Sequence, residues 1–141
     1  MRKPKFQVLV ILATTLFMVS VVSCTEDEDL FVNITVNEGP IGDIGGDFTG
    51  NGGDGTRTIN WTNNLTTADY NADITSTASG MFLMTVNDSE GSVVLERGLN
   101  GASGPDSFSG VTDVGEPGTW TVTITLTSFN GDGSYSLSEG N

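Results

Sequence analysis

The chain has 141 residues, with five Lys and Arg against 18 Asp and Glu, no His and a single Cys. The absence of His excludes Ser-His-Asp and Cys-His nucleophiles and His-containing zinc sites, and one Cys excludes a disulfide within the chain. Three of the five basic residues lie in the first five positions, so only Arg57 and Arg97 follow residue 24. Such an acidic chain disfavours nucleic acid and anionic membrane surfaces as partners.

Residues 1–23 have the three-part organisation of a secretory signal peptide, which we expect to form a signal helix. Met1–Lys5 is basic, residues 6–22 are mostly apolar, and the small residue Ser23 precedes Cys24. This order is typical of an exported chain. An uncleaved signal anchor is the alternative, because the apolar stretch reaches the short end of the membrane-spanning range.

The sequence Val-Val-Ser-Cys at residues 21–24 resembles the lipobox of bacterial lipoproteins, with Val21 in place of the commoner Leu. The resemblance implies cleavage before Cys24 and attachment of acyl chains, such as palmitate, to that residue. A buried acyl chain contributes about 0.8 kcal/mol per CH₂, and two or more chains anchor a protein stably. We therefore predict that Cys24 is the lipidation site of an outer-membrane lipoprotein.

An acidic tether follows Cys24 and completes the segment 24–29; its carboxylates belong to Glu26, Asp27, Glu28 and Asp29. Such a run stays solvated and extended. It resembles the export signal of surface-exposed lipoproteins of the Bacteroidota, which implies a protein that faces the cell exterior. A plain acidic spacer facing the periplasm is the alternative.

Residues 30–141 alternate apolar and polar side chains in short segments, which indicates strands with one buried face. The clearest case is residues 119–127, where four apolar residues alternate with five threonines. In chain order, strands are predicted at residues 30–36, 57–62, 72–77, 81–86, 92–97, 107–111, 119–127 and 134–137. We predict an all-β fold, a single antiparallel β-sandwich or jelly-roll-like domain of about seven to eight strands.

The connections between these strands carry more specific expectations. The run at residues 81–86 is nearly all apolar, which predicts a central strand buried on both faces. Turn residues at 87–91 and 130–133 predict two hairpins, the second at the C-terminus. Eight of the 19 glycines lie between Glu38 and Thr56. We expect this glycine-rich segment to be a long mobile loop, with residues 47–50 as a short edge strand.

Three aspartates in the glycine-rich segment are candidate calcium ligands, since calcium favours flexible oxygen donors. They are Asp43, Asp47 and Asp54. Residues 52–57 resemble a fragment of the calcium-binding nonapeptide repeat, although Arg57 stands where that repeat has Asp. Residues 130–133 resemble part of an EF-hand loop without its downstream Glu. Structural turns explain both segments equally well.

Aromatic side chains raise the possibility of sugar binding, because their faces stack on pyranose rings. Trp61 and Trp120 are in phase with aliphatic positions and are expected in the core. Tyr70 is the one we expect outside, in a loop-like segment at residues 63–71. For catalysis, only a carboxylate pair remains open, and no cleft-forming length of chain is available for it. We predict that the protein is not an enzyme.

Most of residues 56–141 resembles small lipoproteins of the Bacteroidota, notably at residues 59–62, 106–112 and 118–122. The pattern Gly-Thr-Trp-Thr-Val followed by Gly-Asp-Gly-Ser-Tyr-Ser-Leu is also similar to β-sandwich accessory domains attached to secreted proteases. These resemblances imply a surface-exposed binding or accessory module for an envelope protein or a glycan. A coat protein without a specific ligand and a calcium-dependent adhesion module are the alternatives.

Overall fold

A computed structural model describes residues 28–38 and 42–140. The predicted signal helix and Cys24 lie outside these residues. The described part contains eight strands and no helix, and every strand pairing is antiparallel. The strands are β1 (Val32–Ile34), β2 (Asn37–Glu38), β3 (Ile44–Asn63), β4 (Ala68–Ile74), β5 (Ser79–Asn87), β6 (Val93–Asn100), β7 (Ser107–Val111) and β8 (Gly118–Glu139). The predicted all-β antiparallel fold is confirmed.

Two long strands, β3 and β8, pair with each other along nearly their whole length and belong to both layers of the fold. Their register shifts between residues 51 and 55, where the ribbon bends. Ser128, opposite this irregular segment, has a φ of 45°, the one positive value among the described non-glycine residues. We call this place the bend, because β-bulges turn strands in this way.

The bend divides the strands into two layers. In the first layer, β1 and β2 pair with residues 44–51 of β3, followed by the C-terminal half of β8, then β4 and β7. In the second layer, residues 55–63 of β3 pair with the N-terminal half of β8, followed by β5 and β6. The bend lies at one end of the resulting sandwich. Because β3 bends in its middle, its first residue, Ile44, and its last residue, Asn63, both lie at the opposite end of the sandwich.

The core lies between the two layers and is rich in aromatic residues. Phe48 of the first layer stacks on Phe82 of the second, with ring centroids 4.7 Å apart. Trp61 and Trp120 face each other on neighbouring strands in an edge-to-face arrangement. Every second residue of β8 from Trp120 to Leu126 is at most 1% exposed. The alternation in the sequence therefore gives the buried face that it predicted.

The glycine-rich segment is not a loop, and this expectation was wrong. Residues 44–63 form β3, and residues 47–50 lie between β1 and β8 rather than at a sheet edge. Backbone hydrogen bonds to two neighbours offset the poor strand propensity of glycine. Glycine is also required sterically: a Cβ on Gly53 would lie only 2.7 Å from the carbonyl carbon of Phe31. The glycines allow the N-terminal segment to pack closely on β3.

The predicted C-terminal hairpin is also absent. Residues 130–133 do not reverse the chain but lie inside β8, where they pair with residues 48–51 of β3. Gly131 has a φ of 136°. The residues that resemble a turn therefore allow the strand to pass the bend and cross from one layer to the other.

Three smaller differences concern strand limits and exposure. β1 covers only part of the strand predicted at residues 30–36, and β4 begins four residues before the strand predicted at 72–77. β5 is central, between β6 and β8, as expected. It is buried on one face only, because Phe82 is fully buried whereas Met81 is 51% exposed.

Candidate functional site

The N-terminal segment is fastened to the bend through one side chain, Asn51. Its Oδ1 accepts a hydrogen bond from the Phe31 N–H at 2.7 Å, and its backbone N–H donates to the Phe31 carbonyl at 3.1 Å. Its Nδ2 donates to the carbonyl of Asp29 at 3.3 Å. Of the predicted tether, Glu28 and Asp29 are exposed, while Cys24, Glu26 and Asp27 lie outside the described residues. The chain is therefore tied to the domain from Asp29 onward.

The three candidate calcium ligands are not brought together. Asp43 and Asp47 line one shallow surface depression, and Asp54 lines another beside Arg57. Asp54 Oδ1 accepts a hydrogen bond from the Ser128 N–H at 2.6 Å, which ties β3 to β8 at the bend. Within residues 28–38 and 42–140 no group of three or more His, Cys, Asp or Glu is arranged to hold a metal ion. The geometry explains Asp54 as a structural residue.

The aromatic residues considered for sugar stacking are all buried. Trp61 and Trp120 are core residues, as predicted. The expectation for Tyr70 was wrong, because it lies on β4, 8% exposed, with its ring against Phe108. Tyr135 is also buried and donates its hydroxyl hydrogen to the Thr35 carbonyl at 2.7 Å. Burial raises the pKa of the Tyr135 hydroxyl above its usual value.

The outward faces of both layers consist mostly of hydroxyl, amide and carboxylate side chains, with Met81 of β5 and Val111 of β7 as exposed apolar residues. A row across the first layer joins Asp47, Ser134, Asp73 and Ser107 in register. On the second layer, Thr56, Thr58 and Thr62 of β3 stand opposite Thr125, Thr123 and Thr119 of β8. These faces offer hydrogen bonds but no large aromatic platform.

Neither arginine in the described part of the chain belongs to those faces. Arg97 is in phase with the buried residues Leu95 and Leu99 of β6. Its guanidinium lies 4.8 Å from the ring centroid of Phe108, and Nη1 donates to the Tyr70 hydroxyl at 3.1 Å. Because Phe108 belongs to the first layer and β6 to the second, Arg97 covers the open side between them.

Asp88 is the buried carboxylate among the described residues. It joins the β5–β6 turn to the β7–β8 connection at the end of the sandwich opposite the bend. Its Oδ1 accepts hydrogen bonds from the N–H groups of Glu90 and Ser92, and Oδ2 accepts one from the Glu116 N–H. The bond from Glu116, followed by those from the turn, lowers the pKa of Asp88 although its partial burial opposes this. Three backbone donors occupy a carboxylate that a catalytic role would need free.

The β7–β8 connection, residues 112–117, is fixed by hydrogen bonds on both sides. The Asp113 N–H donates to the Val94 carbonyl at 2.9 Å, and the Gly115 N–H donates to the Thr66 carbonyl at 2.8 Å. The Glu116 carbonyl accepts a hydrogen bond from Trp120 Nε1 at 2.8 Å. Between these fixed points Val114 is 76% exposed. Sequence reasoning missed this feature; its one signal is an apolar residue in a connection that is otherwise polar.

Comparison with known proteins gives no assignment. A scan against protein-family models yields no match, and a search of curated proteins yields no significant match. Residues 28–38 and 42–140 contain no helix that is long and apolar enough to cross a membrane.

Proposed function

We propose that this protein is a lipid-anchored, non-enzymatic binding or accessory module of the bacterial outer membrane, facing the cell exterior. The observation that carries the proposal is the junction between anchor and domain. Cys24 of the lipobox-like sequence precedes Asp29 by five residues, and Asp29 is already tied to the domain through Asn51. Five extended residues span at most about 18 Å. An acyl chain on Cys24 therefore holds the bend close to the membrane.

A binding rather than catalytic role is supported by the arrangement of the carboxylates and the surface. Asp88 accepts three backbone hydrogen bonds, and Asp54 is bonded to Ser128. The aromatic residues are used in the core. A rigid sandwich with polar faces is suited to presenting a surface to a partner, as in many extracellular β-sandwiches. An envelope protein fits this surface better than a glycan held by ring stacking.

The lipid anchor is tested by feeding cells that express the full chain an alkyne analogue of palmitate. We expect the wild type to incorporate the label and Cys24→Ser to lose it, because the thiol is the acylation site. Thr25→Ser is a matched control with a neighbouring side chain changed. Equal labelling of Cys24→Ser would contradict the proposal.

The external location is tested by protease treatment of intact and lysed cells in parallel, with a periplasmic protein as the internal control. We expect digestion in intact cells, and protection when Glu26–Asp29 are all replaced by Ala. Digestion of the wild type only after lysis would place the domain in the periplasm instead. A domain that is only protected by the membrane is digested after lysis, whereas a domain that resists the protease survives in both samples.

A further inference from the structure

Large exposed apolar side chains are grouped at the two ends of the sandwich. Leu30, Phe31 and Met81 lie toward the bend, where the tether is attached. The other four of the described part, which we name the distal apolar patch, are Leu65, Val93, Val111 and Val114, between 42% and 76% exposed. Isolated surface apolar residues are ordinary, whereas exposed apolar side chains that lie together are the kind of surface on which a partner docks.

Backbone hydrogen bonds bring the β7–β8 connection, the β3–β4 connection and the beginning of β6 together at the patch. Val114 stands between Asp113, which is bonded to Val94, and Gly115, which is bonded to Thr66. The segments around Val93 and Leu65 therefore flank it on two sides. Thr112, the residue after Val111, donates its N–H to the Ala68 carbonyl at 2.9 Å. The patch spans β6, β7 and the β3–β4 connection.

The patch is held rigidly in its exposed position. A Cβ on Gly115 would lie 2.7 Å from the Cβ of Asp88, so the connection packs tightly beneath Val114. The Ser89 hydroxyl also lies within hydrogen-bond distance of the carbonyls of Glu116 and Pro117, which share its one donor hydrogen. A preorganised surface loses little conformational entropy on binding. Because Val114 is exposed in the folded chain alone, a partner that covers it would gain the burial of its side chain.

The position of the patch identifies the kind of partner. Residues 55–63 of β3 run from the bend to the patch end, a distance of about 25–30 Å along a strand. A domain standing on its tether thus presents the patch away from the membrane. Asp113 and Glu116 are exposed beside Val114, whereas Arg57 and Arg97 lie opposite the mid-strand residues Ile124 and Met84. Two copies meeting through this patch would bring like charges together.

We propose that the distal apolar patch is the docking surface for an envelope protein whose contact has an apolar centre ringed by Lys or Arg. This inference rests on the proposed function for the location of the partner. The apolar centre is covered by Val114 and its neighbours, and the basic ring is complementary to Asp113 and Glu116.

The test is photo-crosslinking in cells that express the full chain, with p-benzoylphenylalanine in place of Leu65, which leaves Asp113 and Glu116 unchanged. The same residue at Thr58, on the outward face of the second layer, is the control position. We expect one discrete adduct from position 65 and none from position 58. Val114→Thr should reduce the adduct about tenfold, because an interface hot spot contributes at least this much. Met81→Thr, which also replaces an exposed apolar side chain by Thr but lies toward the bend, should leave it unchanged.

Capture of a protein is not sufficient support. The adduct must depend on Val114, and its crosslinked peptide must contain apolar residues beside Lys or Arg. An adduct of two copies of this chain, an adduct with lipid, equal adducts from both positions, or no adduct would each overturn the proposal. These results do not depend on palmitate labelling of Cys24, so failure of the lipid anchor and failure of the patch are distinguishable.

Discussion

The close packing of the N-terminal segment on the glycines of β3 is tested by Gly53→Ala. The new Cβ would lie 2.7–2.9 Å from three backbone atoms of Phe31, which cannot move aside as a flexible side chain would. The segment would have to detach and lose both hydrogen bonds between Phe31 and Asn51. These contribute about 0.5–1.5 kcal/mol each.

Detachment also exposes Val32 and Ile34, which are partly buried against the core. Their lost burial costs roughly 1–2 kcal/mol in total. Replacement of glycine by alanine recovers about 0.4–1 kcal/mol through the unfolded chain. The net expected loss in the free energy of unfolding is about 2–3 kcal/mol, which lowers Tm by roughly 10 °C or more in a domain of this size.

The assay is urea unfolding of the mature domain together with hydrogen exchange of the Phe31 and Thr35 amides. Asn51→Ala is the matched variant, since it removes the side-chain hydrogen bonds without adding a Cβ to β3; we expect a loss of about 1 kcal/mol. The double variant should lose less than the sum, because both changes release the same segment. A Gly53→Ala protein as stable as the wild type, with its Phe31 amide still protected, would refute the steric explanation.

Three further predictions concern Arg97, Asp88 and the three candidate calcium ligands. Arg97→Gln should lower the free energy of unfolding by about 1–2 kcal/mol through loss of its contacts with Phe108 and Tyr70, whereas Arg57→Gln should change it less; equal effects in urea unfolding would contradict this. The pKa of Asp88 in the folded protein is held below its usual 3.8. The ionised carboxylate therefore stabilises the folded state above pH 3.8, and this contribution is lost as the pH falls through the pKa of the folded protein. Asp88→Asn should therefore be less stable than the wild type near neutral pH, with a difference that shrinks in acid; a constant difference between pH 7 and pH 2 would disprove the linkage. Calcium at about 1 mM, the range of extracellular modules, should leave Tm unchanged because Asp54 lies apart from the other two aspartates; a clear rise would restore the metal-site hypothesis.

The sequence by itself determined the strands in which apolar and polar residues alternate. Residues 107–111 were predicted with the limits that β7 has, and residues 119–127 were predicted as a strand but form only part of the longer β8, because period-two burial is a local property of an extended backbone. The turn at residues 87–91 was recognised from its Asn, Asp, Ser and Gly residues, whose preference for turns is also local. Composition also excluded His-based chemistry and disulfides without any structure. Lipidation of Cys24 and export through the acidic tether stay predictions, to be tested by labelling and protease treatment.

Only the tertiary structure decided what the glycine-rich segments do. Residues 44–56 and 130–133 resemble loops and turns locally, yet each is a strand because a neighbouring strand supplies hydrogen bonds on either side. The burial of Tyr70 depends on Phe108 and Arg97 from distant parts of the chain. The distal apolar patch likewise exists only because Asp113 bonds to β6 and Gly115 bonds to the β3–β4 connection. Contacts between residues far apart in sequence have no period, so no local pattern reports them.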